Sequence, residues 1–176
     1  MIIDLQAVTE QTHVHEVLDQ DWWRATDPNQ QVLGFGCPLQ VDVKVSKVAD
    51  KFLVDGTLAG AVKVRCDRCL EAFDLKLKSN FNVYLVVRPS GPLEEDVELL
   101  DEDMEVEFLK GETMDLDDIV REQIYLSVPM KCVCKSDCRG LCPQCGANLN
   151  IAPCSCKSGL GHAAFSKLEN LKLQGE

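Results

Sequence analysis

The chain has 176 residues, of which 45% are hydrophobic, and its formal net charge is −11. This length suits one domain, alone or with a small appendage, and the composition is sufficient for a hydrophobic core. The negative charge argues against a protein that binds nucleic acid simply by coating phosphates, and no apolar run approaches the ~20 residues of a membrane span.

The N-terminal segment lacks the basic and apolar regions of a secretory signal, so we expect a cytoplasmic protein. Residues 1–8 predict a short strand, and residues 12–18 predict a second strand with His13 and His15 on one face. These histidines have no further metal ligand nearby in sequence, which favours a solvated polar face. One tryptophan of the pair at 22–23 is expected to anchor a core under a loop.

Three further strands are predicted in the first half of the chain. Turn chemistry at 27–29 and a glycine- and proline-containing break at 34–38 precede them. Apolar and polar residues then alternate from 39 to 46, and strands are predicted again over 52–64 and 75–87. Strands separated by short turns indicate an antiparallel meander.

An acidic stretch and a helix follow. Nine acids lie within 94–107, which is typical of a solvated loop and could also dock a basic partner. A short strand is expected near Val106 and Phe108. Residues 115–127 predict a helix that Pro129 ends and that covers one face of the sheet. Its apolar face comprises Leu116, Ile119, Val120 and Ile124, widened by Tyr125 and Leu126.

The charge divides the chain into two predicted parts. Residues 1–130 form a β-rich body with 12 basic and 26 acidic residues. Residues 131–176 form a cysteine-rich tail with six basic and three acidic residues, and residues 162–173 predict a terminal helix. An acidic body with a mildly basic tail could contact RNA through the tail, although an ordinary solvated surface explains the same charges.

Seven of the ten cysteines lie between Cys132 and Cys156. At their centre is the turn Cys142-Pro143-Gln144-Cys145-Gly146, in which the proline presets the bend and the glycine frees the backbone. Such a turn with flanking cysteines is typical of structural zinc held by four ligands. The first-choice ligand set is Cys142, Cys145, Cys154 and Cys156, and a rival set uses Cys138 in place of one of the last two.

A second CxxC pair, Cys66 and Cys69, lies between two predicted strands. With Cys134 and Cys138 it could form a second zinc site, or it could be a reduced pair that shapes a turn. A redox role fits poorly because such motifs normally open a helix beside a parallel sheet. A disulfide framework, an iron–sulfur cluster and a catalytic zinc that recruits His162 are less favoured alternatives.

These motifs together resemble the YceD family of large-subunit ribosomal RNA accumulation proteins. The resemblance rests on DGTLAGAVKV leading into CDRCLEAF, on the acidic stretch and following helix, and on DCRGLCPQCGANLN followed by CSC. Cys66 and Cys69 match the first motif of the family, and the tail cysteines match the second. Cys37 and Cys132 have no clear counterpart and are not assigned as ligands.

The resemblance implies a non-enzymatic role in making or stabilising large-subunit (23S) ribosomal RNA during ribosome assembly, in bacteria and organelles. It also implies a structural metal, because some relatives keep the first motif without the tail cysteines. The expected partners are ribosomal RNA of the large subunit or ribosomal assembly proteins, without a membrane or a small-molecule substrate. The candidate RNA contacts are Arg68, Lys131, Lys135, Arg139 and Lys157.

Two other hypotheses remain open. The acidic body favours a protein-interaction module that docks a basic ribosomal protein without contacting RNA. An enzyme is disfavoured because no nucleophile–base pair, HExxH helix or carboxylate dyad is visible. The predicted fold class is α+β, an antiparallel β-sheet or meander with one covering helix, a C-terminal cysteine-rich zinc knuckle and a short terminal helix.

Overall fold

The computed structural model of the chain describes residues 1–23, 31–87, 106–109 and 111–156. The predicted turn at 27–29, most of the acidic stretch, Lys157 and the predicted terminal helix lie outside these residues. The described strands are β1 (Ile2–Asp4), β2 (Gln11–Leu18), β3 (Val32–Val48), β4 (Lys51–Arg65), β5 (Ala72–Val87), β6 (Val106–Leu109) and β7 (Thr113–Asp115). A 3-10 helix spans Leu5–Ala7, and the α-helix α1 spans Leu116–Ser127.

The main sheet has five strands in the order β2-β3-β4-β5-β6, and β1 pairs with β7 in a separate two-stranded sheet. The strands β2 to β5 form the predicted antiparallel meander. Their alternation places one set of side chains in the core, since Leu39, Val41, Val43 and Val45 are all fully buried. The α+β fold class predicted from the sequence is confirmed.

Strand β6 differs from the prediction because it runs parallel to β5, pairing Tyr84 with Val106 and Val87 with Leu109. A parallel pair needs a crossover connection of about a dozen residues or more, and residues 88–105 supply that length. Local alternation predicts a strand but carries no information about its direction. The sheet is therefore mixed at this edge.

Strand β3 begins at Val32, so the predicted break at 34–38 was wrong. The strand continues through this segment with three register shifts against β4 between Val32 and Gln40. Bulges of this kind absorb extra residues without ending a strand. Pro38 is tolerated because β2 pairs with β3 only as far as Leu39, which leaves β3 without that neighbour at the proline.

The helix α1 covers the sheet as predicted. Asp115 caps its N-terminus by accepting a hydrogen bond from the Asp117 backbone N–H. Leu116, Ile119, Val120 and Ile124 are buried, as the helical spacing indicates. Leu126 is 69% exposed, so its predicted place on the apolar face was wrong. It lies seven positions after the buried Ile119, so helical spacing places it at the edge of the apolar stripe, in the last turn of the helix, where it stays exposed.

The predictions for the N-terminal segment are confirmed only in part. Only Ile2–Asp4 of residues 1–8 is a strand, because the chain then turns into the 3-10 helix. Trp23 is buried in the core and packs against Tyr125, with 5.5 Å between ring centroids. His13 and His15 are exposed, as predicted, and both contact the Asp42 carboxylate, at 2.7 and 3.1 Å. Among the described residues, no helix has the length and apolar character needed to cross a bilayer.

We expect Gly60→Ala to lower the free energy of unfolding by about 1–3 kcal/mol, the usual cost of overpacking. An added Cβ would lie 2.9 Å from Leu39 Cδ1 and 3.1 Å from the Pro38 carbonyl oxygen. Gly111→Ala is the matched control, because no atom lies within 4 Å of its added Cβ. Urea unfolding should show a change within about 0.5 kcal/mol for the control. Equal stability of the two variants would contradict this packing.

Candidate metal centres

Eight cysteines form two clusters. The turn cluster comprises Cys66, Cys69, Cys134 and Cys138, and the tail cluster comprises Cys142, Cys145, Cys154 and Cys156. Within each cluster the four Sγ atoms all lie within 4.8 Å of one another, and each cluster could hold a metal ion. These are the two four-cysteine sets considered from the sequence. The rival set, with Cys138 in the tail cluster, is not the set that the structure brings together.

The sulfur spacing of the turn cluster suits a tetrahedral metal. Cys66 Sγ lies 3.8 Å from Cys138 Sγ, and Cys69 Sγ lies 3.8 Å from Cys134 Sγ. A tetrahedron with Zn–S bonds of about 2.3 Å has an edge of about 3.8 Å. A disulfide would need about 2.05 Å between sulfurs. The thiols are therefore placed to bind one metal ion in common rather than to bond to one another.

The β4–β5 turn presents the first two thiols of the turn cluster. The Cys66 backbone N–H donates to the Glu71 carbonyl, and the Leu70 N–H donates to the Cys66 carbonyl, each at 2.9 Å. Leu70 adopts a positive φ of 61°, which lets the chain reverse immediately after Cys69. Both thiols are buried as a result. The two long strands thus carry this turn to one end of the sheet.

The segment after α1 is fastened to the same turn. The Asp67 N–H donates to the Cys132 carbonyl at 2.8 Å, and the Cys132 N–H donates to the Asp67 carboxylate. Cys132 itself is buried in the main core, where burial and the nearby Asp67 raise the pKa of its thiol. Cys132 therefore positions Cys134 and Cys138 and is not a member of either cluster. Cys37 is exposed on β3 and lies outside both clusters as well.

The tail cluster is built on the predicted knuckle. The Gly146 N–H donates to the Cys142 carbonyl at 2.9 Å, and the Cys142 N–H donates to the Ala147 carbonyl at 2.8 Å. Gly146 has a φ of +73°, as expected for a glycine that frees the backbone after the second thiol. Cys154 and Cys156 return from the following loop to complete the set.

The thiols of each cluster differ in acidity. Burial opposes ionisation of Cys66, but the backbone N–H groups of Cys134, Cys69 and Arg68 outweigh it and lower its pKa to about 6. In the tail cluster, the backbone N–H groups of Cys145 and Gln144 lead the effects that lower the pKa of Cys142 to about 6. Burial also opposes ionisation of Cys138, but hydrogen bonds from the Asn150 side chain and the Gly140 backbone lower its pKa. Each cluster thus contains at least one thiol that ionises readily at neutral pH.

Other thiols of the clusters resist ionisation beside their neighbours. Burial, followed by the neighbouring Cys138, Cys66 and Cys69, raises the pKa of Cys134 to about 12. The neighbouring Cys145, followed by burial, raises the pKa of Cys156 to about 12. Like charges this close cannot all form unless a cation compensates them. The donor set therefore fits a divalent metal that prefers thiolates.

A short link joins the two clusters. Gly140 has a φ of +74° and packs so closely that an added Cβ would lie 2.9 Å from the Arg68 carbonyl oxygen. The Leu141 N–H donates to that same carbonyl at 2.9 Å. Leu141 also forms an isolated antiparallel bridge with Asn148. The tail cluster is thereby held directly against the turn that carries the first cluster.

The predicted RNA-contact residues lie on the segments that carry the clusters. Lys131, Lys135 and Arg139 are exposed on the segment that follows α1 and contains Cys134 and Cys138. Arg68 is exposed too, but its Nη1 donates to the Cys138 carbonyl at 2.9 Å, so it also fastens the turn cluster. Lys157 lies outside the described residues.

The sequence reasoning missed two residues of the site, Asn148 and Asn150. Asn150 Nδ2 donates to Cys138 Sγ at 3.4 Å, although Asn150 lies in the loop of the other cluster. Asn148 Nδ2 donates to the Glu71 carboxylate at 3.4 Å and so reaches the β4–β5 turn. The available signal was the pair of asparagines just after the knuckle, where asparagine is also an ordinary turn residue.

We expect Gly140→Ala to destabilise the protein more than Gly146→Ala does. Both positions have nearly the same positive φ, so alanine carries a similar backbone cost of about 1–2 kcal/mol at each. Only at Gly140 would the new methyl group also collide with the Arg68 carbonyl, while nothing lies within 4 Å at Gly146. Thermal unfolding of the two variants under identical metal conditions measures the difference. Equal losses would show that the link does not pack against the turn.

Residues 54–172 match the model described as "Large ribosomal RNA subunit accumulation protein YceD". This match includes both cysteine clusters and the helix α1. No solved structure matches the chain.

Three relatives illustrate the similarity. An uncharacterized protein of Mycobacterium tuberculosis is 35% identical over 118 residues, which cover 67% of this chain and 55% of the relative. A chloroplastic protein of Arabidopsis thaliana named large ribosomal RNA subunit accumulation protein YCED homolog 1 is 28% identical, with coverage of 79% and 50%. Its namesake in Zea mays is 26% identical, with coverage of 68% and 49%. The chain spans about half the length of these relatives. By the match to the family model over most of its length, the chain belongs to the YceD family.

Proposed function

We propose that this protein is a non-enzymatic ribosome-biogenesis factor that promotes accumulation of large-subunit (23S) ribosomal RNA. The family match over residues 54–172 carries the proposal, because the named plant relatives are large ribosomal RNA subunit accumulation proteins. A binding role needs a fixed surface rather than a reactive group, and metal held by the cysteine clusters would fix the segments that form such a surface. We place this activity in the cytoplasm, whereas the plant relatives are chloroplastic by name.

We propose that both clusters bind zinc in a structural role. Each cluster offers four thiols, so a bound ion would have no open position for a substrate. When bound, zinc would supply a cross-link between the β4–β5 turn and the segment after α1. The positive charge of the ion would compensate the negative charges of the closely packed thiolates, and the surrounding N–H groups would stabilise these thiolates further.

Cations around the clusters support RNA as the partner. Lys135 and Arg139 are exposed beside the turn cluster, and we add Lys157 from the sequence. The solvent face of the β4–β5 hairpin adds four more exposed positive side chains, Lys63, Arg65, Lys76 and Lys78. Within the described part of the chain, none of these four forms an ion pair. Clustered Lys and Arg address phosphates even on a protein whose total charge is negative.

An alternative proposal is a protein-interaction module that docks a basic ribosomal or assembly protein without touching RNA. The observation in its favour is the net charge of −14 on residues 1–130, to which the acids of 94–107 contribute strongly. Such a surface would attract a basic protein at low salt. The two proposals differ in whether partners survive treatment with RNase.

Elemental analysis of protein purified without added metal should find two zinc ions per chain. The eight cluster thiols should then be slow towards a thiol reagent, because they are engaged as ligands. Exposed Cys37 should be the one fast thiol, and Cys37→Ser should abolish the fast phase. Buried Cys132 should stay slow in both proteins. One zinc ion with about four additional fast thiols would restrict the metal to one cluster, and bound iron would refute zinc.

Charge reversal at Lys135 and Arg139 tests the RNA surface. The double variant Lys135→Glu/Arg139→Glu should bind large-subunit ribosomal RNA more weakly, because two phosphate contacts are lost. The slope of log affinity against log salt should fall by about two. The matched control is Lys44→Glu/Lys51→Glu, which changes the charge equally at the far end of the sheet.

The control should retain the RNA affinity of the original chain. Equal retention of RNA by both double variants would show that this surface does not contact RNA. If protein partners also persisted after RNase treatment and dissociated in high salt, the docking proposal would replace the RNA proposal.

A further inference from the structure

We infer that Asn150 couples the two cysteine clusters, so that metal bound at one cluster strengthens metal binding at the other. The inference rests on the proposed function, in which both clusters hold a metal. Asn150 lies between Cys145 and Cys154 and so belongs to the loop of the tail cluster. Its side chain nevertheless donates to a thiol of the turn cluster, Cys138, at 3.4 Å.

Both ends of the Asn150 amide are used. While Nδ2 donates to Cys138 Sγ, Oδ1 accepts a hydrogen bond from the Arg139 backbone N–H at 2.8 Å. The amide therefore clamps the sulfur and the residue that follows it in the chain. An N–H donated to a metal-bound thiolate stabilises its charge, and groups of this kind tune metal affinity.

The asparagine is oriented by its neighbours in the same loop. Asn148 Oδ1 accepts from the Asn150 backbone N–H at 3.0 Å and from its Nδ2 at 2.9 Å. The Leu149 N–H donates to the Gly140 carbonyl at 2.9 Å. The first half of the loop is thus built to aim the Asn150 amide at the turn cluster.

The second half of the loop depends on its sulfurs. Residues 153–156 form no backbone-to-backbone hydrogen bond among the residues that the structure describes. Cys154 and Cys156 meet Cys142 and Cys145 there, so a metal ion would close the loop. A loop that a metal ion has already closed has less conformational freedom left to lose when Asn150 hydrogen-bonds Cys138. An open loop loses that freedom at this step. A metal in the tail cluster therefore favours the conformation that stabilises the turn cluster.

The coupling must act in both directions. If metal in the tail cluster raises the metal affinity of the turn cluster by some factor, metal in the turn cluster raises the metal affinity of the tail cluster by the same factor. Loss of an outer hydrogen bond to a ligand typically weakens metal binding about 10- to 100-fold. We expect the Asn150 contribution to fall in this range and to disappear when the tail cluster cannot bind metal.

The test uses the full chain, stripped of metal under reducing conditions and titrated with Co²⁺ against a competing chelator. Thiolate-to-cobalt absorption reports occupancy, and Cd²⁺ resonances assigned with Cys66→Ser/Cys69→Ser report each cluster separately. Asn150→Asp keeps the shape and the oxygen that accepts from Arg139, but it loses the donor to Cys138. Asn150→Ala removes the donor without adding charge. Asn80→Asp, on the exposed face of β5, is the matched control.

We expect both Asn150 variants to weaken Co²⁺ binding at the turn cluster about 10- to 100-fold, with Asn80→Asp unchanged. In a Cys142→Ser/Cys145→Ser background, the same Asn150 variants should change that affinity less than about twofold. The difference between the two backgrounds is the coupling. Reciprocally, Cys66→Ser/Cys69→Ser and Cys142→Ser/Cys145→Ser should weaken the remaining cluster by similar factors.

Equal effects of the Asn150 variants in both backgrounds would overturn the coupling and leave Asn150 as a local contact of Cys138. The absence of any effect in the intact chain would overturn it as well. Failure of either cluster to bind Co²⁺ or Zn²⁺ in the original chain would overturn the metal proposal itself. Far-ultraviolet circular dichroism of each variant before metal addition verifies that the sheet remains folded.

Discussion

Two pairs of thiols that lie far apart in the chain meet within the reach of one ion. Cys66 and Cys138 are separated by 72 residues and Cys69 and Cys134 by 65, yet each pair has its sulfurs 3.8 Å apart. The neighbouring strands and helix position the two segments that carry these thiols. Long strands β4 and β5 hold the turn at one end of the sheet, and α1 directs the following segment back to it. The mutual hydrogen bonds of Asp67 and Cys132 then fix the register of the approach.

The features that the sequence predicted best are local. The alternation of Leu39 to Val45 identifies a half-buried strand because the side-chain period of a strand is two. The helix at 116–127 is visible from its apolar spacing and its acidic first turn. The knuckle around Cys142 is likewise specified within a few residues, since its proline and glycine act on the backbone directly. In each case the energetic cause lies inside the segment that shows the pattern.

The features that the sequence did not predict depend on distant partners. Gly34 to Pro38 resembles a break by composition, but pairing with β4 keeps the segment extended through bulges. The parallel direction of β6 follows from where the chain returns after residue 105, which alternation does not encode. The division of eight cysteines into two sets was left open for the same reason, because only the fold brings the β4–β5 turn to the tail. Asn150 escaped notice because its partner belongs to the other cluster.

The separation of Cys66 from Cys138 has a consequence during protein synthesis. A chain made at roughly 5–20 residues per second presents Cys66 and Cys69 about 4 to 14 s before Cys138 is added. During that interval the nascent chain carries two nearby thiols whose partners do not yet exist. Thiols in this state can oxidise to the wrong disulfide, which would block the later meeting. A reducing environment around the emerging chain would keep these thiols available until the last ligand of the turn cluster is added.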